Sequence, residues 1–349
     1  MTEVPKRNRG RRLTLILLVV FVVALALSPT SSQKADRVRV ATMRLGSSWY
    51  VFGATLYKLM RDEFPDESRI EVMAKGGGIG NPIVVDSGLA DIGLANVCTA
   101  VWAREGDGVY EGKRFENIRA LVGALNPVWI TAMVREEFIE RTGKSTLEAI
   151  LTGKDPVRVL MKPRGSSVPV IADMVFDVLG TSREEIEAGG GAIIQVSPKQ
   201  FGSILRDGRA DLYIETATLG HPTVTEVSQI ANVRFLDMPE RVEQALAVKG
   251  LAPSEFPEHY KGQNGPTRAL NLGTVLIANS ALSDDTAYRI ARTICERSEV
   301  MANGHKAWKR FDPKRAGLRV STGIPLHPGA KRYYKEKGWL DGGNDGGED

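Results

Sequence analysis

The chain reads as an α/β protein of two similar lobes, each built on a mostly parallel sheet flanked by helices. Three observations predict this. Residues 70–82 followed by 86–95 have the order strand, glycine loop, helix, turn, strand. Residues 157–214 repeat that order. The two units also close on matching steps, Ser87-Gly88-Leu89-Ala90-Asp91 and Asp207-Gly208-Arg209-Ala210-Asp211. The glycines at 76, 77, 78 and 80 leave backbone N–H groups uncovered just ahead of a helix N-terminus, which favours an anion. The expected ligand position is therefore the carboxyl end of a parallel sheet.

Taken in order, Val38-Arg39-Val40-Ala41-Thr42-Met43 alternates as a first strand. Gly46-Ser47-Ser48-Trp49-Tyr50 breaks it, and Phe52, Leu56, Leu59 and Met60 then carry helical spacing. The glycine unit follows, with small apolar residues to Ala95 that suit a buried parallel strand. Residues 118–125 form another strand, Asn126-Pro127 interrupts, and 128–134 is a second extended run, a first crossing between lobes. In the second lobe, 157–161 is a strand, Lys162-Pro163-Arg164-Gly165-Ser166-Ser167 a polar loop, and 170–179 a helix closed by Gly180. Strands at 193–196 and 210–214 follow, separated by a short helix. Residues 233–236 are read as returning the chain toward lobe one, 271–278 as completing it, and 284–302 as an amphipathic helix capped by Ser283.

Lys6, Arg7, Arg9, Arg11 and Arg12 precede an apolar run from 13 to 27, the pattern of a signal peptide or, uncleaved, an N-terminal anchor. The sequence pI near 9.0 belongs to this segment. Beyond residue 35 there are 40 basic and 41 acidic residues, so charge gives no case for nucleic-acid binding. The two cysteines, Cys98 and Cys295, read as buried free thiols. The four histidines are scattered, with neither H-x-x-x-H nor C-x-x-C, so no metal or cofactor is expected. Gly143-Lys144-Ser145 is no phosphate-binding loop, because Phe138 stands where the upstream glycine belongs. No Gly-x-Ser-x-Gly elbow occurs, and no nucleophile–base pair suggests an enzyme.

Residues 324–338, Ile-Pro-Leu-His-Pro-Gly-Ala-Lys-Arg-Tyr-Tyr-Lys-Glu-Lys-Gly, resemble the C-terminal signature of the TAXI solute-binding proteins, which serve tripartite ATP-independent periplasmic (TRAP) transporters. The 87–91 step, Gly220-His221-Pro222 and 279–288 are similar to further family motifs, so the resemblance spans about 37–338. Departures sit in the loops: Arg44-Leu45-Gly46-Ser47-Ser48-Trp49-Tyr50 lacks most of the family's glycines there, and Asn96-Val97-Cys98 replaces Gln-Ser-Asp. The resemblance implies a two-lobe, type II periplasmic-binding-protein-like fold with the ligand cleft between lobes. It also implies a monomeric, exported receptor for a small carboxylate, a glutamate-like amino acid or a 2-oxo or dicarboxylate. That receptor would deliver its ligand to TRAP membrane subunits; a membrane-tethered sensor is the alternative.

The domain boundaries expected are 1–35 targeting segment or anchor, 36–126 first part of lobe one, 127–236 lobe two, 237–338 return to lobe one, and 339–349 a disordered acidic tail. Candidate ligand contacts are Ser47, Ser48, and the loop of Gly77, Gly78 and Asn81 for one carboxylate, with loop and capping duty as the alternative. Trp49 and Tyr50 are candidates for an aromatic wall, and Asn96 for orientation. In lobe two, Arg164 is the candidate bidentate clamp, flanked by Ser166 and Ser167. Glu215 and Thr216 follow a strand and are expected to face the cleft, the carboxylate suiting a ligand ammonium. His221 is read as a turn residue, and His327 as a brace for Tyr333 or Tyr334.

Overall fold

A computed structural model describes residues 1–2, 38–61, 63–64 and 70–340. Residues 3–37, on which the expected targeting segment falls, and the tail from 341 lie outside the described residues.

Lobe one opens with β1 (Val38–Thr42), helix α1 (Ser48–Arg61), β2 (Ile70–Gly76), α2 (Gly80–Asp86), β3 (Ile92–Ala95), α3 (Val97–Glu105) and β4 (Ile118–Val122). Lobe two holds β5 (Trp129–Arg135), β6 (Arg158–Met161), α4 (Ser167–Leu179), β7 (Ala192–Gln195), β8 (Leu212–Ala217), α5 (Pro222–Ile230), β9 (Val233–Leu236), β10 (Ala252–Phe256) and β11 (Thr267–Asn271). The chain then returns through β12 (Val275–Asn279), α6 (Asp284–Glu296) and α7 (Pro328–Glu336). Sheet one has the order β2-β1-β3-β12-β4 and sheet two β10-β11-β5-β8-β6-β7, with β9 also on β5. This is the two-lobe α/β architecture expected of a periplasmic-binding-protein-like chain. Strands β1, β2 and β3 pair in parallel, as do β6, β7 and β8. Every residue of β3 is buried, because helices cover both faces of a parallel sheet.

The return to lobe one comes later than residue 237. β9 pairs antiparallel with β5 over Ala132–Arg135, and β11 takes the rest of that edge at Trp129 and Ile130. Seven-residue β5 is long enough to hold two partners on one side, so β9 completes sheet two. The antiparallel β10–β11 pair extends the same sheet. The two crossings, 123–128 and 272–274, run side by side and are bonded to each other: Leu125 N donates to Thr274 O (3.2 Å) and Thr274 N to Asn126 O (3.0 Å).

The C-terminal segment is clamped onto sheet one. Ala120 N donates to Pro325 O and His327 N to Ala120 O, both at 2.8 Å. Tyr334 OH donates to Leu121 O (2.8 Å), so this tyrosine is braced by a β4 carbonyl. His327 instead caps α7, its Nδ1 accepting from Gly329 N (3.3 Å). Trp339 sits edge-on to Tyr333 at 5.9 Å, so packed structure continues past residue 338. Cys98 and Cys295 are buried free thiols, both pushed up to about 12 by burial.

Candidate functional site

The two lobes build their cleft from the same local device. In lobe one, Arg39 of β1 grips Asp91: Asp91 Oδ2 accepts from Arg39 N (2.7 Å) and Nε (3.0 Å), and Oδ1 from Nη2 (2.8 Å). In lobe two, Arg158 of β6 grips Asp211 through the same three donors at 2.9, 2.8 and 2.7 Å. Each fork ties a first strand to the strand beside it and sets the height at which the following loops emerge. Those loops, Met43-Arg44-Leu45-Gly46-Ser47-Ser48 and Lys162-Pro163-Arg164-Gly165-Ser166-Ser167, fold alike. Gly46 and Gly165 take φ of +95° and +93°, a region that side chains disfavour. Ser47 N and Ser166 N close the turns onto Arg44 O (3.3 Å) and Pro163 O (3.4 Å). Ser48 and Ser167 then start α1 and α4.

These matching helix starts meet across the cleft. Ser48 Oγ pairs with Thr218 Oγ1 of lobe two at 2.9 Å. Ser167 Oγ donates to Asn96 Oδ1 of lobe one at 3.0 Å. The turn carbonyls are claimed across the gap as well: Gly46 O accepts from Thr223 Oγ1 (2.8 Å), and Gly165 O from Ile79 N (3.2 Å) and Gly80 N (3.3 Å). Between them lies a small, partly open cavity. Met43, Ser47, Ser48, Trp49, Gly78 and Asn96 line it from one lobe, and Lys162, Ser166, Ser167, Thr216, Thr218 and His221 from the other, with Val128 at the crossing.

Its one charged wall is a neutralised pair. Lys162 is buried and bonds Glu215 Oε1 and Thr216 Oγ1 (3.2 Å). Glu215, fully buried, also accepts from Thr216 N (2.6 Å) and Tyr213 OH (2.8 Å). Burial, and then the Glu215 charge, push the Tyr213 phenol well above its ordinary range. Burial, and then Lys162, hold the His221 imidazole well below its ordinary range, so His221 is neutral. Its Nδ1 accepts from Val224 N (3.3 Å), which places the ring proton on Nε2. Among the described residues no group of three or more His, Cys, Asp or Glu is placed to hold a metal ion.

Residues 40–338 match the NMT1-like family model. The chain belongs to the NMT1-like family. Similar solved structures include one described as a periplasmic transporter (14% identity, 90% of this chain and 97% of that one, TM-score 0.48). Another is the alkanesulfonate-binding protein SsuA from Xanthomonas axonopodis pv. citri bound to MOPS (13%, 87% and 85%, TM-score 0.44). A third is the periplasmic aliphatic sulphonate binding protein SsuA from Escherichia coli (13%, 85% and 78%, TM-score 0.41).

In this NMT1-like chain, eight of the thirteen candidate contacts lie on the cavity: Ser47, Ser48, Trp49, Gly78, Asn96, Ser166, Ser167 and Thr216. Five do not. Arg164 is exposed at the loop tip, matching exposed Leu45 of lobe one, because the turn that delivers Ser166 and Ser167 inward turns position 164 outward. Tyr50 falls on the solvent side of α1. Gly77 lies against Met43 and the Gly165 carbonyl, outside the lining. Asn81 is structural: its Nδ2 donates to Thr42 O (2.9 Å) and Leu94 O (2.7 Å), and its Oδ1 accepts from Gly77 N (3.0 Å). Glu215 lies behind Lys162, its oxygens occupied by protein donors. Sequence reasoning missed Lys162, His221, Thr218, Met43 and Val128. Aligning the two Gly-Ser-Ser loops would have flagged Met43 and Lys162, which stand at the same place before each turn. Among the described residues no helix is long and apolar enough to cross a membrane.

Proposed function

We propose that this NMT1-like chain is an extracytoplasmic solute receptor that closes on a small carboxylate by hinge bending. The observation that carries this is the cavity itself: both lobes contribute the same turn-and-helix start to one shared space, and the lobes bond directly across it. Two adjacent crossing segments form a natural hinge, and contacts made only when the lobes meet let a bound ligand shift the open–closed balance. The resemblance of residues 324–338 to the TAXI signature supports TRAP-type membrane subunits as the acceptor of the closed form. The basic and apolar N-terminal pattern supports export. A binding rather than catalytic role is supported by His221, the one imidazole on the cavity, whose Nδ1 is occupied by a backbone N–H.

The test is thermal unfolding and small-angle scattering against a panel of carboxylates. A ligand at 100 times its Kd stabilises by about 2.7 kcal/mol, and closure reduces the radius of gyration. A stabilising solute that leaves the scattering unchanged would refute hinge closure. The absence of any stabilising solute would refute the receptor reading.

A further inference from the structure

The cavity offers donors and lacks a free negative charge. Lys162 has three N–H groups, of which Glu215 and Thr216 take two. His221 is 2% exposed, and its protonated Nε2 has no hydrogen-bond partner among the described residues. Helices α1 and α4, of 14 and 13 residues, both begin on the cavity, and neither has an acidic residue in its first turn. Ser47 Oγ and Ser166 Oγ each accept one N–H there, from Tyr50 and Val168 (both 3.2 Å), but no carboxylate of the chain offsets the N-terminal partial charges. On the acceptor side, none of the lining side chains is a carboxylate. Asn96 Oδ1 is taken by Ser167. Glu215 is held by Lys162, Thr216 and Tyr213. An ammonium group placed here would meet a lysine and two helix N-termini with no counter-charge left to pair with.

We propose that the cavity selects small anions that carry no ammonium group, the acid group resting on Lys162 and His221, with Lys162 as the specificity-determining residue. This rests on the receptor reading and sharpens it. The Lys162–Glu215 pair then works as a unit: Glu215 holds Lys162 in place while its own oxygens stay occupied and closed to the ligand.

The experiment is calorimetric titration of the whole chain with matched acids that differ only by an amino group: glutarate and glutamate, succinate and aspartate, propionate and alanine, ethanesulfonate and taurine. In at least one pair the member without the amino group is expected to bind at least tenfold tighter. The sulfonate pair separates carboxylate from sulfonate recognition. The double variant Lys162→Met/Glu215→Gln, which leaves no unpaired charge, is expected to lose at least tenfold in affinity for that acid. His221→Asn, which keeps a capping oxygen, is expected to weaken it severalfold. An amino acid binding as tightly as its partner overturns the proposal, and so does acid binding that survives the double variant. Binding of glucose or spermidine in place of any acid overturns it while leaving a receptor. No heat with any of these solutes removes the receptor reading itself.

Discussion

Ser48 and Ser167 occupy the same position in the two lobes, the first residue of the helix after a Gly-Ser turn, and each hydroxyl reaches into the opposite lobe, to Thr218 and Asn96. This reciprocal pair joins the lobes alongside the bonds that Gly46 O and Gly165 O accept from Thr223, Ile79 and Gly80. Gly78 lies directly beneath the Ser167–Asn96 bond. A Cβ there would stand 2.8 Å from Asn96 Oδ1 and 3.0 Å from Ser167 Oγ.

Removing both hydroxyls, Ser48→Ala with Ser167→Ala, takes about 1–3 kcal/mol from the closed form at about 0.5–1.5 kcal/mol per bond. Scattering should report a larger radius of gyration, while each lobe keeps its fold by circular dichroism. Gly78→Ala should open the cleft further, since its methyl wedges the same contact. An unchanged scattering profile in both variants would mean that these bonds do not hold the lobes together.

Lys162 and Glu215 form a pair with side-chain exposures of 5% and 0%. Breaking such a pair from one side leaves a buried charge, which costs about 3–5 kcal/mol. Lys162→Met alone should therefore lower urea stability by about that much. Lys162→Met/Glu215→Gln should recover most of the loss, because no charge is left stranded. A double variant no more stable than the single one would show that packing around Lys162, rather than charge, is what the site requires.

Much of this was legible in sequence because it is local. Alternation and glycine breaks marked the parallel strands, and the matched Ala-Asp steps marked the duplication, which the Arg39–Asp91 and Arg158–Asp211 forks realise. What failed depended on direction or on distant pairing. A loop arginine such as Arg164 reads as a clamp until the turn at Gly165 shows which residues face inward. Glu215 and Thr216 lie inside β8 rather than after it, and the occupation of Glu215 by Lys162 depends on residues far away in the chain. Strand β9 looked like a return to lobe one because nothing in 233–236 shows that β5 has a free edge.

Three histidines serve as helix caps through an unprotonated Nδ1: His221 to Val224 N, His305 to Ala307 N (3.1 Å), and His327 to Gly329 N. Burial pushes His305 down to about 4, against a hydrogen bond to the Gly220 backbone that raises it and with Lys306 lowering it further. Burial likewise lowers His221 and His327. Groups held neutral when folded but near 6.5 when unfolded contribute stability that is complete only well above pH 6.5. The unfolded chain binds more protons below that value, so the contribution falls as pH drops toward about 4. Urea midpoints at pH 8, 6.5 and 5 should therefore decline in that order. His305→Asn, which keeps a capping oxygen without a titrating ring, should flatten the decline; a slope identical to that of the unaltered chain would remove His305 from it.

The two crossing segments carry a polar mismatch of their own. Thr274 Oγ1 and Asn126 Oδ1 are both buried without a protein partner among the described residues, although their backbones are bonded to each other at 3.0 Å. An unpaired buried hydroxyl costs about 1–3 kcal/mol. Valine has nearly the shape of threonine without the hydroxyl, so Thr274→Val should leave the protein as stable or raise its stability by about 1 kcal/mol in urea. It should do so without altering the scattering profile, since no cross-lobe bond involves this hydroxyl. A loss of stability would show that the hydroxyl has a partner after all, such as a bound water shared with Asn126. A shift toward the open form would show that Thr274 helps to set the hinge angle.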